Sequence, residues 1–199
     1  YDKEHGKGFG ELEIIDYAIN HSHIINNNKN ISLIKITGRL IIVNIATILK
    51  QLKYNILPSS KSVICSMNSD FSMADSRFFI APLNFYKRLI ENRMAINDSE
   101  GVYLEHVLCS LIKKQNLYEF HPFFTEPQYQ GVSGSTNITY EANKHTFFEE
   151  IRYTEYVISQ FFMFPYAKKK HFYNNFIRKS ILLLLFISLK LINIFSSCK

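Results

Sequence analysis

The sequence predicts an α/β fold, a mixed sheet flanked by helices, and three observations carry that expectation. Residues 31–36 and 62–67 are short apolar runs that read as strands. Residues 11–21, 44–52, 82–92 and 103–114 read as helices, most clearly where apolar residues return every three or four positions. The two kinds alternate along the chain rather than segregating, the order expected of an α/β domain. Composition agrees: 199 residues, 47% hydrophobic and 20% charged, can bury a sizeable core as one domain, or as one domain plus a tail.

Residues 1–10 are polar and carry Gly6, Gly8 and Gly10. Leu12, Ile15, Ala18 and Ile19 then mark one face of an amphipathic helix. A glycine loop, Lys7-Gly8-Phe9-Gly10-Glu11, running into that helix presents free backbone N–H groups and the positive end of the helix dipole. It is neither a Walker A sequence nor a full GxGxxG, and a flexible lead-in to the helix is the plain alternative.

Asn26-Asn27-Asn28-Lys29-Asn30 is a loop. Residues 31–36, with their single Lys35, are expected as a buried strand, and Thr37-Gly38-Arg39 follows at its carboxyl end, where open α/β sheets place ligands. Gly38 lets the backbone turn or approach a ligand, and Arg39 offers a planar fork suited to phosphate. Alternatively, Gly38 is only a turn and Arg39 a solvated charge.

The helix at 44–52 ends before Pro58, and the strand at 62–67 runs through Asp75-Ser76-Arg77 into the apolar Phe78-Phe79-Ile80. Asp75 and Arg77 have the chemistry to bind a metal-diphosphate or a sugar hydroxyl; they equally suit a surface ion pair of nearly neutral energy. A helix at 82–92 and a turn at 97–101 lead to the helix at 103–114, with Asp98 or Ser99 as its cap. Glu105 beside His106 at that helix start is either a general base or an exposed helical pair. Residues 121–140 read as loop and short strand, punctuated by Pro122, Pro127, Gly131 and Gly134.

The formal charge of +6 and pI of about 9.1 suit nucleic acid, an anionic membrane or a phosphorylated substrate. Position narrows the choice, because the basic residues cluster near the C-terminus. Lys168-Lys169-Lys170-His171 and Arg178-Lys179 interleave with Phe161, Phe162, Phe164, Phe172, Tyr173 and Phe176. Residues 180–195 are then apolar apart from Ser180, Ser188, Lys190 and Asn193. That is shorter than the ~20 apolar residues of a spanning helix. A helix lying in the membrane interface beside basic neighbours fits better, with a buried packing helix as the alternative. The division expected is an α/β domain over 1–150 and a helical, basic and hydrophobic membrane-associating tail over 151–199. Nucleic acid is not expected as a partner, since aromatics and basic residues interleave only beside the apolar tail.

Cys65, Cys109 and Cys198 are odd in number, widely spaced and outside any zinc-binding pattern, which suits free thiols in a reducing compartment. No Gly-x-Ser-x-Gly elbow and no His-Glu-x-x-His occurs, so hydrolase and zinc-protease readings have no footing.

Taken in order, Lys7-Gly8-x-Gly10-Glu11, Lys35-Ile36-Thr37-Gly38-Arg39, Asp75-Ser76-Arg77-Phe78-Phe79, Asn97-Asp98 with Tyr103-Leu104-Glu105-His106, and Gly131-x-Ser133-Gly134-Ser135 form a series. It resembles small bacterial glycosyltransferases of capsule and lipopolysaccharide loci, of the GT-A, nucleotide-diphosphosugar transferase class. The resemblance covers roughly residues 1–140.

It implies a GT-A-like mixed sheet flanked by helices and followed here by a C-terminal hydrophobic helix. Enzymes of this class begin with strands that hold the nucleotide base, so a chain opening on Tyr1 is expected to be N-terminally incomplete. The resemblance places the nucleotide-sugar donor at Lys7, Gly8, Gly10 and Glu11. Thr37, Gly38 and Arg39 take the position of the usual Asp-x-Asp, which leaves Arg39 to stabilise the departing diphosphate. Asp75 is a second candidate ligand for a divalent metal, Mg or Mn, and, counted with Glu105 as catalytic, it shapes the sugar site together with Arg77. Glu105 corresponds to the acid that deprotonates the acceptor hydroxyl.

The partners implied are a nucleotide-sugar donor, a glycan or lipid-linked acceptor, and a membrane surface met through the tail. The location implied is cytoplasmic, peripheral on the inner face of the cytoplasmic membrane. A non-catalytic, membrane-docked binding protein is the alternative.

Overall fold

A computed structural model describes residues 5–28, 30–55, 61–114, 118–133, 137–141 and 146–163. The chain divides into two compact units, Tyr1–Ala167 and Lys168–Lys199. The second unit, with the basic run and the apolar segment 180–195, lies outside the described residues. No helix among the described residues is long and apolar enough to cross a membrane.

The first unit is α/β and is organised around strand β4, Phe78–Pro82, whose five residues are all buried. β4 lies inside a four-stranded mixed sheet of order β1-β4-β3-β5, with β1 at Ser32–Ile36, β3 at Ser62–Ile64 and β5 at Glu119–His121. β4 runs antiparallel to both β1 and β3, while β3 and β5 are parallel. It follows that β1, β3 and β5 all point the same way and that β4 alone opposes them.

The expectation of a buried strand at 31–36 is corrected: β1 is an edge strand, with Ile34 and Ile36 45% and 44% exposed. An edge strand has one flank unpaired, and alternation turns every second side chain outward.

Helix α1, Lys7–His21, buries Phe9, Leu12 and Ile19. It begins at Lys7, so the glycine stretch expected as a loop is the first turn of the helix. Helix α2, His23–Asn27, follows after Ser22, whose hydroxyl accepts from the Ile25 N–H. Helix α3, Ile45–Asn55, buries Ile48 and Leu52. Helix α4, Leu83–Glu91, leaves β4 directly and buries Leu83, Phe85, Tyr86, Leu89 and Ile90. Tyr86 stacks on Phe79 of β4 at 5.1 Å, and Phe78 stacks on Phe123 at 4.6 Å. In a chain without Trp these phenyl contacts supply the large apolar surfaces of the core.

Helix α5, Leu104–Lys113, buries Leu104, Val107, Leu108, Cys109, Leu111 and Ile112. Its start is held by the Tyr103 N–H donating to His106 Nδ1 at 3.1 Å, not by Asp98 or Ser99. Asp98 caps α1 instead, accepting from the Lys7 N–H at 2.9 Å.

The 121–140 region carries the short strands expected of it, and the sheet they form takes in a strand from earlier in the chain. β2 at Leu40–Ile42, β6 at Tyr129–Val132 and β7 at Thr139–Tyr140 form a second, antiparallel sheet of order β2-β6-β7. Gly131, at φ +133°, makes the pairing possible, since a Cβ there would lie 2.1 Å from the Arg39 carbonyl oxygen.

Helix α6, Phe147–Met163, belongs to the first unit and docks through tyrosines. The Tyr153 hydroxyl donates to the Phe123 carbonyl at 2.9 Å. The Tyr156 hydroxyl donates to the Met67 carbonyl at 2.5 Å and accepts from the Met67 N–H at 2.9 Å. Burial then pushes the Tyr156 phenol up to about 12.

Candidate functional site

Because β1, β3 and β5 run together, their carboxyl ends, Ile36, Ile64 and His121, share one edge of the sheet, and β4 begins there at Phe78. This is the edge beyond which open α/β sheets receive ligands. The residues between β3 and β4 cross it. Asp75 N–H donates to the Ser66 carbonyl at 2.7 Å, and Thr37 N–H donates to the Arg77 carbonyl at 2.8 Å. The segment 74–77 is thus strapped between the loop after β3 and the end of β1.

Ser76 connects to one cluster. Its hydroxyl donates to Glu105 Oε1 at 2.5 Å, and its carbonyl accepts from Lys35 Nζ at 2.5 Å. Lys35, only 8% exposed at its side chain, also donates to Glu11 Oε2 at 2.8 Å and to Thr37 Oγ1 at 2.6 Å. Thr37 in turn donates to Glu11 Oε1 at 3.5 Å. An ammonium has three donors, and all three of Lys35 are engaged, which is how a charge is held in so dry a position. Glu105 lies in the first turn of α5, and the Ala74 N–H reaches its backbone carbonyl at 3.1 Å. Oε2 of Glu105 has no hydrogen-bond partner among the described residues, and the side chain is half-buried.

Asp75 and Arg77 form the second cluster. Arg77 Nε donates to Asp75 Oδ1 at 2.9 Å, and Nη2 donates to Oδ2 at 2.8 Å. The Arg77 backbone N–H also reaches Oδ1 at 2.9 Å, and the Tyr129 hydroxyl donates to Oδ2 at 3.2 Å. The guanidinium carbon lies 4.4 Å from the Tyr129 ring centroid and 5.4 Å from that of Tyr140, within cation–π range. Burial pulls the Arg77 guanidinium down, but its hydrogen bonds to Asp75 and the charge of that carboxylate outweigh this and hold it above its ordinary value. Burial and the neighbouring Asp75 charge likewise push the Tyr129 phenol well up.

Five of the residues singled out from the sequence therefore converge: Glu11, Thr37, Asp75, Arg77 and Glu105. Five are placed otherwise. Lys7 sits at the first turn of α1 with its N–H on Asp98. Gly8 lets α1 approach α5, because a Cβ would come within 2.7 Å of Leu104 Cβ. Gly10 is buried within α1. The helix start thus already holds a carboxylate, and the expected presentation of free N–H groups is corrected at Lys7. Gly38 and Arg39 are exposed on the β1–β2 turn. The positive φ, 71°, belongs to Arg39 and not to Gly38, where a Cβ would meet no other atom within 4 Å.

Sequence reasoning passed over four residues of this arrangement: Lys35 as its hub, Ser76 as the link to Glu105, and Tyr129 and Tyr140 as the floor beneath Arg77. The signals present were a lone lysine inside an apolar strand and a serine flanked by two charged residues.

A divalent metal at Asp75 does not fit these partners. Both carboxylate oxygens accept two hydrogen bonds each, which fills the lone-pair positions a cation would need. Glu11 is paired with Lys35. Among the described residues there is no group of three His, Cys, Asp or Glu side chains placed to hold a metal ion. What the arrangement offers is a half-buried carboxylate with one open oxygen, next in the chain framework to a guanidinium with donors to spare. No protein-family model, no curated protein and no solved structure matches this chain.

Proposed function

We propose that this chain is a glycosyltransferase, moving a sugar from a nucleotide-sugar donor to a glycan or lipid-linked acceptor in surface polysaccharide synthesis. The observation that carries the reading is the meeting of Glu105 with the Asp75-Ser76-Arg77 segment through the Ser76–Glu105 hydrogen bond, at the ligand-receiving edge of the sheet. In the series on which the resemblance rests, these residues belong to separate motifs.

In this reading Glu105 is the base. Ser76 holds Oε1, which leaves Oε2 to take the proton of the acceptor hydroxyl as that oxygen bonds to the donor sugar. The bond from the sugar to the diphosphate breaks, its electron pair leaves on the nucleoside diphosphate, and Arg77 offsets the charge, with Arg39 on the neighbouring turn. Lys35 is a positioning residue that fixes the Ser76 carbonyl and Thr37. The basic and apolar tail sequence supports a peripheral place on the inner face of the cytoplasmic membrane, where a lipid-linked acceptor would be met.

The test uses the full chain, with calorimetry against a panel of nucleotide-sugars and a turnover assay. Glu105→Gln is expected to lower turnover by about 10²–10⁴-fold with donor affinity unchanged. Near-normal turnover removes Glu105 from the mechanism, and no binding by any donor defeats the reading. A second reading, a membrane-docked binding protein without turnover, is favoured by one observation: the N-terminus of α1 is filled by Asp98. Donor binding with no transfer by the wild-type chain to any glycan or lipid-linked acceptor would select it.

A further inference from the structure

We infer that Arg77, clamped by Asp75 and Tyr129, is a built-in cation for the donor's diphosphate, so that the diphosphate binds without a divalent metal. This rests on the reading of the site as a nucleotide-sugar site. It begins from the mismatch between the Asp75 carboxylate and a metal ion.

Three features of the arrangement support it. First, the guanidinium is oriented. Nε and Nη2 are tied to the two oxygens of Asp75, and the carboxylate is itself fixed by the Arg77 N–H and the Tyr129 hydroxyl. The guanidinium carbon lies over the Tyr129 ring, with the Tyr140 ring beside it. Second, donors remain. A guanidinium has five N–H groups, and those of Nη1, with one of Nη2, have no partner among the described residues. The side chain is 37% exposed, so the guanidinium is not sealed off from solvent. A fork of this kind matches two oxygens of a phosphate. Third, the position is apt. Arg77 lies at the edge shared by the carboxyl ends of β1, β3 and β5, the edge at which open α/β sheets receive ligands, and its carbonyl holds Thr37 of the turn that carries the exposed Arg39. A second guanidinium is thereby attached to the same framework.

The role of Asp75 then changes sign. As a metal ligand it would hold the cation that binds the anion. Here it is a negative charge near the anion, and its contribution is to aim the fork. Removing the charge while keeping the shape separates the two effects.

The experiment measures inorganic pyrophosphate binding to the full chain by calorimetry, once in EDTA and once in Mg or Mn. Binding is expected in EDTA and unchanged by either metal. Arg77→Ala is expected to weaken it about tenfold or more, the scale of charged hydrogen bonds, and Arg77→Lys to recover part of the loss. Arg77→Lys also keeps a cation over Tyr129, which leaves a folded variant to read if the alanine variant does not fold. Asp75→Asn is expected to weaken binding severalfold through loss of aim.

Binding that requires a metal overturns the inference. So does wild-type affinity in both Arg77 variants, tighter binding by Asp75→Asn, or no pyrophosphate binding in either buffer. The transferase reading is judged separately with nucleotide-sugars. Metal-free, Arg77-dependent pyrophosphate binding with no sugar transfer defeats that reading and leaves the inference standing. Sugar transfer that demands a metal does the reverse.

Discussion

Replacing Lys35 by methionine tests the hub of the site at the level of stability. The substitution keeps most of the side-chain length and removes the ammonium, which makes three hydrogen bonds, to Glu11, Thr37 and the Ser76 carbonyl. Breaking a fully buried ion pair by removing one partner costs about 3–5 kcal/mol. Glu11 is 32% exposed at its side chain, so water partly replaces its lost partner and the figure must be discounted. The Ser76 carbonyl and the Thr37 hydroxyl lose a donor each, at about 1 kcal/mol apiece. The expected loss is about 2–4 kcal/mol. With a urea m-value of about 2 kcal/mol per M, the midpoint should fall by about 1–2 M at unchanged slope. Combining Lys35→Met with Glu11→Gln should recover part of the loss, because the second change removes the stranded carboxylate. A midpoint shift under about 0.5 M would refute the argument, since it would mean that the ammonium gains no more from these partners than from water.

Gly131→Ala should destabilise the chain by about 1–3 kcal/mol and speed amide exchange in β6, because the new methyl would meet the Arg39 carbonyl at 2.1 Å. Gly38→Ala, with open space around it, should change the melting temperature little; a comparable loss at both positions would contradict the assigned turn. Alkaline pH should unfold the protein. The unfolded chain releases its tyrosine protons near the ordinary 10.0, whereas folded Tyr156 holds its proton to about 12. The unfolded state then binds fewer protons, so stability is complete below the lower value and falls as pH rises through this window. Urea midpoints measured across it should decline, and less steeply in Tyr156→Phe. Finally, Cys65 and Cys109 are buried, and burial pushes both thiols up. In a Cys198→Ser background a thiol reagent should therefore react only on unfolding, and fast labelling of the native protein would contradict their burial.

Helices α1, α3, α4 and α5 were the legible part of the fold, because a three-to-four residue apolar period survives where one face is buried. The end of α1 nearest the N-terminus was misread because glycine favours loops in isolation, whereas Gly8 is required by the approach of α5. The sheet was less legible. The run 31–36 looks like a buried strand by composition, yet it pairs on one side only, and strand order is set by partners far away in sequence. The aromatic run Phe78-Phe79-Ile80, with no polar interruption, was the better marker of the centre. β2, β6 and β7 are too short and too exposed to leave a period. In the site, Glu105, Asp75 and Arg77 were recognisable as chemistry and an ion pair of Asp75 with Arg77 was one of the readings, but the hold of Ser76 on Glu105 and of Tyr129 on Asp75 was not. Those links depend on Ser76 reaching Glu105, and on Tyr129 reaching Asp75 and Arg77, across the fold.

The grip of Tyr156 on Met67 also has a bearing on how the chain is made. These residues are 89 positions apart, and the loop that Tyr156 fixes is the one that gives the Ser66 carbonyl to Asp75. At about 5–20 residues per second, ribosomal synthesis needs about 5–20 s to cover that distance. Once Glu105 has been made, synthesis up to Tyr156 takes about 3–10 s more at that rate, and for that time a nascent chain that contains Asp75, Arg77 and Glu105 lacks the tyrosine that clasps the loop beside them. Assembly of the site is therefore timed by α6, and a chain stalled before Tyr156 would present the strand ends of the sheet without their closing clasp.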